Sequence, residues 1–199
     1  FKKILIANRG EIALRIIGTC RRMGIGTVAV YSGADADALH VKEADESCFI
    51  GGAAPGNSYL RIDKLLDAAK EKGCDAIHPG YGFLSENAEF ARQCSLSGKT
   101  FIGPSAEAIE LMGEKDKAKS AMERAGVPVV PGYFGEEQSK QCLLKEADKI
   151  GYPLMIKAVL GGGGKGMRVV QKKEDLGNAL VSVQNEAQKA FGDSRVMLE

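Results

Sequence analysis

An α/β fold, with a parallel sheet covered by helices on both faces, is the architecture this sequence predicts, and three observations lead to it. Short apolar runs alternate with stretches of helical period through the first hundred residues. The first two runs, KILIA at 3–7 and TVAVY at 27–31, have no polar alternation, as expected of strands buried on both sides. After Gly103-Pro104 the order changes to consecutive helices and then a hairpin, which marks a domain boundary near residues 104–115.

The elements follow in order. Residues 3–7 form a strand, and 11–22 form a helix carrying Ile12, Leu14, Ile16 and Ile17. Strands follow at 27–31 and 47–50. Ser58 is the expected cap of a helix over 59–72, with Leu60, Ile62, Leu65, Leu66 and Ala69 on one face. Strands at 76–78 and 100–102 flank a helix over 88–97, for which Ser85 is the expected cap. Beyond the boundary, 105–112 and 115–125 read as helices, with Gly126 stopping the second. A turn-rich stretch at 132–135 leads to a helix over 138–150, ended by Gly151 and Pro153. A hairpin of 154–159 and 167–171 encloses a glycine-rich loop. A helix over 174–190 and a strand beginning at 195 complete the sequence.

Bulk properties narrow the function. The 199 residues carry 27 Lys and Arg against 26 Asp and Glu. That balance gives no electrostatic case for nucleic acid or an anionic membrane, so an anionic ligand must be held by a local site. No apolar run approaches the roughly 18 residues of a membrane span, and the first residues carry no secretory or transit pattern. The five cysteines, Cys20, Cys48, Cys74, Cys94 and Cys142, are odd in number and form no C-x-x-C pair. They read as reduced packing thiols of an intracellular compartment.

The strongest local signal is the run Gly161-Gly162-Gly163-Gly164-Lys165-Gly166, preceded by Lys157 at the end of a strand. Glycines let backbone N–H groups approach phosphate oxygens, and Lys157 can neutralise the same phosphates. The Walker pattern G-x-x-x-x-G-K-[ST] leading into a helix is absent. Strands flank this loop, so it is expected to fold over nucleotide phosphates as a flap. A plain hairpin turn is the alternative, but four successive glycines are costly to order. The turn Asn8-Arg9-Gly10-Glu11 lies where a doubly wound fold often binds phosphate, yet G-x-G-x-x-G is missing. Its charges suit a salt-bridged turn as well as a ligand contact. The segment H-P-G-Y-G-F-L-S-E-N at 78–87 is dense in turn formers after a strand. His78 there reads as a packed, hydrogen-bonded residue, and no spacing suggests a metal site.

Taken together, K-I-L-I-A-N-R-G-E-I-A at 3–13, the 78–87 segment, F-I-G-P at 101–104, L-M-G-E-K at 111–115, A-G-V-P-V-V-P-G at 125–132 and G-G-G-G-K-G-M-R-V-V at 161–170 resemble the biotin carboxylase family. Order and spacing agree over essentially the whole chain. Within the family, G-Y-F-G-E-E-Q-S at 132–139 and M-I-K-A-V at 155–159 are most similar to α subunits of 3-methylcrotonoyl-CoA carboxylases.

The resemblance implies a Rossmann-like N-terminal domain over 1–114 and the first part of an ATP-grasp domain over 115–199. It implies ATP, with Mg2+ or Mn2+, phosphorylating bicarbonate to carboxyphosphate, which then carboxylates biotin on a biotinyl carrier domain. By matching positions, Lys115 and Lys157 reach the nucleotide phosphates, and Gly163 and Gly164 bind phosphate through their amides. Met167 lines the adenine pocket, Glu199 begins the hinge that reads adenine, and Tyr81 and Gly82 face biotin. The family's metal-binding glutamates, bicarbonate-binding arginine and general base match no position here and are expected after residue 199, so this segment alone is expected to be inactive. Arg15 matches an arginine of the bacterial-type dimer, but Gly18 and Arg22 replace an arginine and a glutamate of that interface. That departure favours assembly through other subunits, with a carboxyltransferase β subunit as the implied partner. A mitochondrial matrix is expected in a eukaryote, otherwise the cytoplasm. The rival readings are another ATP-grasp ligase of the carbamoyl-phosphate synthetase kind, the biotin carboxylase unit of a propionyl-CoA, acetyl-CoA or pyruvate carboxylase, and a non-enzymatic platform.

Overall fold

The structure, a computed structural model, describes residues 1–160 and 166–199. The chain divides into two compact units, Phe1–Glu110 and Leu111–Glu199.

The first unit is built on five parallel strands. They are β1 (Lys3–Ile6), β2 (Gly26–Ser32), β3 (Glu46–Gly51), β4 (Ala76–His78) and β5 (Thr100–Phe101), in spatial order β3-β2-β1-β4-β5. Between them run α1 (Gly10–Met23), the short α2 (Leu39–Glu43), α3 (Ile62–Glu71) and α4 (Ala88–Leu96). Side-chain alternation along each strand feeds two cores. Ile4 and Ile6 pack with Ile12, Ile16, Ile17 and Cys20 of α1 on one face. Leu5, Val28, Val30 and Ile77 pack with Leu65, Ala69, Phe90 and Cys94 of α3 and α4 on the other. The sheet is thus covered on both sides, which is why its strands read as continuous apolar runs. The strand order reverses between β1 and β4, the position where open α/β sheets place a ligand crevice at the carboxyl ends of their strands.

Several local expectations are corrected. Helix α3 starts at Ile62, not at 59, because a 3-10 turn over Pro55–Asn57 redirects the chain. Ser58 therefore caps no helix; it is buried, with its hydroxyl donating to the Ala54 carbonyl. Tyr59 is fully buried and Leu60 is exposed, the reverse of the periodic reading. Asn87 rather than Ser85 caps α4, its side-chain oxygen accepting from the Phe90 N–H at 2.8 Å. Helix α2 was not expected at all; five residues are too short for a periodic signal.

The second unit contains α6 (Lys115–Arg124), which follows α5 (Ala106–Gly113), then α7 (Lys140–Ile150) and α8 (Lys173–Phe191). Its sheet is antiparallel, with β6 (Leu154–Ala158) between β7 (Met167–Val170) and β8 (Val196–Leu198). Leu154, Ile156, Val170, Val196 and Leu198 meet Leu143 and Ala147 of α7 and Leu176, Leu180 and Val183 of α8. Ser139 caps α7 by accepting from the Cys142 N–H. All five cysteines are free thiols; Cys20, Cys74 and Cys94 are buried. Among the described residues, no helix is long and apolar enough to cross a membrane.

Candidate functional site

In the second unit, one sheet face is spent on the core and the other carries the chemistry. Residues directly opposite in an antiparallel pair share a face. Lys157 lies opposite Met167 on one side and Met197 on the other, and Met155 lies opposite Val169. Glu199 extends β8 beside Met155, its N–H donating to the Met155 carbonyl at 2.9 Å. The face is therefore an apolar platform of Met155, Met167 and Val169 with a cation and a carboxylate set into it. Met167 and Val169 are exposed.

Helix α6 adds two more cations. Lys115, its first residue, donates from Nζ to the Val159 carbonyl at 3.3 Å, at the end of β6. Burial holds its pKa below the usual lysine range, and the nearby Lys157 ammonium lowers it further. Positive charge is thus gathered at the end of β6, a setting that suits an anion. Lys119, one turn further along α6, donates to Glu199 Oε1 at 2.6 Å and to the Val130 carbonyl at 2.9 Å. Lys157 donates to the other oxygen, Oε2. Burial alone would raise the Glu199 pKa, but these two lysines overcome it and hold the carboxyl below its ordinary value.

The structure thus gathers Lys157, Met167 and Glu199 on one sheet face, with Lys115 on the helix at its end. Gly163 and Gly164 lie outside the described residues. The last residue before β7, Gly166, is fixed by a left-handed φ of +66° and by its N–H donating to Glu186 of α8 at 3.1 Å. An added Cβ there would meet the Ala158 Cβ at 2.9 Å, so glycine is required. Sequence reasoning missed Lys119. The i, i+4 spacing from Lys115 places it on the same helix face and was the available signal.

In the first unit, Tyr81 and Gly82 lie on the loop that leaves β4, at the reversal of strand order. The loop is held from below by Asn8, buried at the end of β1. Asn8 donates through Nδ2 to the carbonyls of Pro79 and Tyr81, both at 2.8 Å, while its Oδ1 accepts the Arg9 N–H. Gly80 and Gly82 adopt left-handed φ of +67° and +65°, and Phe83 adopts φ +42°. Phe83 is held there by stacking on Tyr59, with ring centroids 5.0 Å apart, and the Arg9 guanidinium lies over both rings. The Tyr81 ring is 59% exposed, and its hydroxyl donates to the Glu11 carboxylate. Arg9 pairs with Asp35 at 3.2 Å, so the salt-bridged reading of this turn describes its charges. Asp35 also accepts from Ser32 and Tyr59, both at 2.7 Å. Burial would raise the Asp35 pKa, but its donors Tyr59, Ser32 and Arg9 hold it below the usual carboxylate range.

His78 accepts the Gly80 N–H at its Nδ1, and burial lowers its pKa. This is the packed, hydrogen-bonded histidine the sequence suggested. A recess of about 450 Å³ beside α1 is mostly apolar, with Arg15, Thr19 and His78 also on its wall. Among the described residues no group of three or more His, Cys, Asp or Glu could hold a metal ion.

Comparison with known proteins decides the family. Residues 1–109 match the family described as biotin carboxylase, N-terminal domain. The chain belongs to the biotin carboxylase family. Residues 114–199 match the carbamoyl-phosphate synthase L chain, ATP binding domain. The chain is 57% identical to the mitochondrial methylcrotonoyl-CoA carboxylase subunit alpha of Dictyostelium discoideum, over 99% of this chain and 28% of that protein. It is 54% identical to biotin carboxylase 1 of Bacillus subtilis, over 100% of this chain and 44% of that protein. Among solved structures, a biotin carboxylase–βγ-ATP complex from Campylobacter jejuni is 52% identical and superposes with a TM-score of 0.93, covering the whole chain and 44% of that one. The biotin carboxylase domain dimer of Hydrogenobacter thermophilus 2-oxoglutarate carboxylase, solved with MgADP, ADP and bicarbonate, is 49% identical with a TM-score of 0.91 and the same coverage. The chain thus spans less than half the length of these relatives.

Proposed function

We propose that the protein carrying this chain uses ATP to carboxylate biotin with bicarbonate. One observation carries the reading: Lys115 and Lys157 lie beside an apolar sheet face in a chain of the biotin carboxylase family. Lys115 and Lys157 bind the nucleotide phosphates, assisted by amides of Gly163 and Gly164. Met167, with Met155 and Val169, supplies an apolar wall for the adenine ring, and Glu199 opens the segment that reads its edge. The relatives solved with βγ-ATP, or with MgADP and bicarbonate, support this choice of ligands.

The chemistry has two stages. A bicarbonate oxygen attacks the γ-phosphorus, and the bond to the bridging oxygen breaks with its electron pair leaving on ADP. Carboxyphosphate then gives up its carboxyl carbon, directly or as carbon dioxide, to biotin N1; the C–O bond to phosphate breaks, and the N1 proton passes to the departing phosphate. The lysines act by position and charge: they hold the phosphates in line and offset the negative charge that builds on the transferring group and on ADP. Mg2+ or Mn2+ accompanies the nucleotide and supplies further charge neutralisation. The described residues offer it no ligand set, and Glu199 is already engaged by Lys119 and Lys157. Tyr81 and Gly82 face biotin, for which an exposed ring with a tethered hydroxyl is a suitable wall.

Within this reading the acyl acceptor is 3-methylcrotonoyl-CoA. The chain is an α subunit that works with a carboxyltransferase β subunit and a biotinyl carrier domain, in a mitochondrial matrix if the source is eukaryotic. The 132–139 stretch and the 57% identity to the Dictyostelium protein favour that acceptor, although a bacterial biotin carboxylase stands at 54%. ATP cleavage by the full-length protein should require both bicarbonate and biotin. Cleavage that ignores both would favour a different ATP-grasp ligase.

A further inference from the structure

Glu199 is shared by two lysines in unlike settings. Its side chain and that of Lys119 are each 13% exposed, whereas Lys157 is 25% exposed. Lys119 is held on three sides: by Glu199 Oε1, by the Val130 carbonyl, and by the Phe134 ring, whose centroid lies 5.4 Å from Nζ. Lys157 takes the other carboxylate oxygen from the strand that carries the apolar platform. An enclosed carboxylate left without a cation is strongly unfavourable, and it would also repel an arriving anion.

We propose that Lys119 is a positioning residue for anion binding: it is the resident counter-charge of Glu199, and it releases Lys157 to bind phosphate. The proposal rests on the nucleotide reading above and adds a residue to it. When a phosphate arrives, the Lys157 ammonium can turn from Oε2 to a phosphate oxygen without stranding Glu199, because Lys119 stays on Oε1. Without Lys119, Glu199 depends on Lys157 alone. The carboxylate then competes with the nucleotide for that lysine, and an unneutralised negative charge stands beside the incoming one. The cost lies in charge, so removing the charge of Glu199 should remove the need for Lys119.

The test is the binding of ADP, with and without Mg2+, to the full-length protein by calorimetry. Lys119→Met should weaken binding about tenfold or more, the scale of one charge-assisted contact. Lys119→Gln, which keeps a hydrogen-bond donor, should show the same loss, and it carries the test if the methionine variant fails to fold. Lys119→Arg should retain most of the affinity. Adding Glu199→Gln to either neutral variant should restore binding to within about threefold of Glu199→Gln alone, as expected for two coupled sites. Unchanged affinity in Lys119→Gln would overturn the proposal, and so would a loss that Glu199→Gln does not reverse, since that marks a purely structural role. A wild-type protein that binds no ADP would instead overturn the nucleotide reading itself.

Discussion

Gly80→Ala tests how the Tyr81 loop is held, and Gly24→Ala is its internal control. Both glycines adopt nearly the same left-handed backbone, φ +67° and +68°. A Cβ at Gly24 would meet nothing within 4 Å, whereas one at Gly80 would lie 2.8 Å from Asn8 Nδ2 and 3.1 Å from Asn8 Cβ and Cγ. Gly24→Ala therefore carries only the left-handed penalty of about 1–2 kcal/mol, reduced by about 0.4–1 kcal/mol because alanine restricts the unfolded chain. Gly80→Ala must in addition displace a buried side chain that donates to two carbonyls at 2.8 Å. Each lost hydrogen bond costs about 1 kcal/mol, and more where the carbonyl stays buried. The expected excess of Gly80→Ala over Gly24→Ala is thus about 2–4 kcal/mol. Hydrogen exchange followed by mass spectrometry on the full-length protein reads it as opening free energy in peptides covering residues 76–87. The site should respond as well, with the KM for biotin rising and that for ATP little changed. Equal destabilisation by the two substitutions would refute the claim that Asn8 locks this loop.

Other outcomes follow from the same geometry. Lys157→Ala should weaken nucleotide binding or phosphoryl transfer by about 1.5–3 kcal/mol with the fold intact, as read from ATP kinetics and circular dichroism; Lys115→Ala should act similarly. Asp35 has a depressed pKa, so its stabilising effect is fully present above the ordinary carboxylate value of 3.8 and is lost as pH falls through the lower folded value. Asp35→Asn should therefore lower the melting temperature at neutral pH, with the gap to wild type closing below about pH 4; a gap that is constant with pH would show that the charge is not what stabilises the turn. Arg15 and Arg22 are exposed on α1, so two copies of the full-length protein should not pair face to face through this helix, since like charges would meet. A structure of the intact assembly with a two-fold axis on α1 would reject that expectation.

What the sequence disclosed depended on how local each signal was. The buried strands β1 and β2 announced themselves as apolar runs, and α1 and α4 as periodic ones, because burial on two faces or on one stripe leaves a direct imprint. The start of α3 did not. Ser58 and Leu60 satisfy a helical template, but the tertiary burial of Tyr59 under Phe83 decides the path there. Asn87 and Ser85 are both acceptable caps, and only the loop geometry selects between them. At the site, Lys157 was legible beside the glycine run, Met167 and Glu199 were named from a resemblance, and the sheet register joins them across 42 residues of sequence. The Asp35 network with Arg9, Ser32 and Tyr59 was illegible, because its members converge only when β1, β2 and the turn after Asn57 are in place.

On the proposed nucleotide reading, the same register explains how a nearly neutral chain would present a local anion site. Net charge is +1, so no general field draws a nucleotide in. Attraction depends on where two or three ammoniums point, and in the second unit that is fixed by the core on the opposite sheet face. Ile156 and Ala158 flank Lys157 and face inward, and Ile156 packs with Leu198 and Val170 against α7 and α8. A one-residue slip of β6 would turn Lys157 into that core and bring Ile156 to the surface. Burying an unpaired ammonium and exposing the isoleucine are both strongly unfavourable, so the slipped pairing is excluded. The hydrophobic core therefore aims Lys157, Glu199 compensates its charge, and on the proposed reading a bound phosphate would relieve the repulsion between Lys157 and Lys115. On that reading, binding energy would be concentrated on the phosphates, the part of the proposed substrate whose charge is redistributed during phosphoryl transfer.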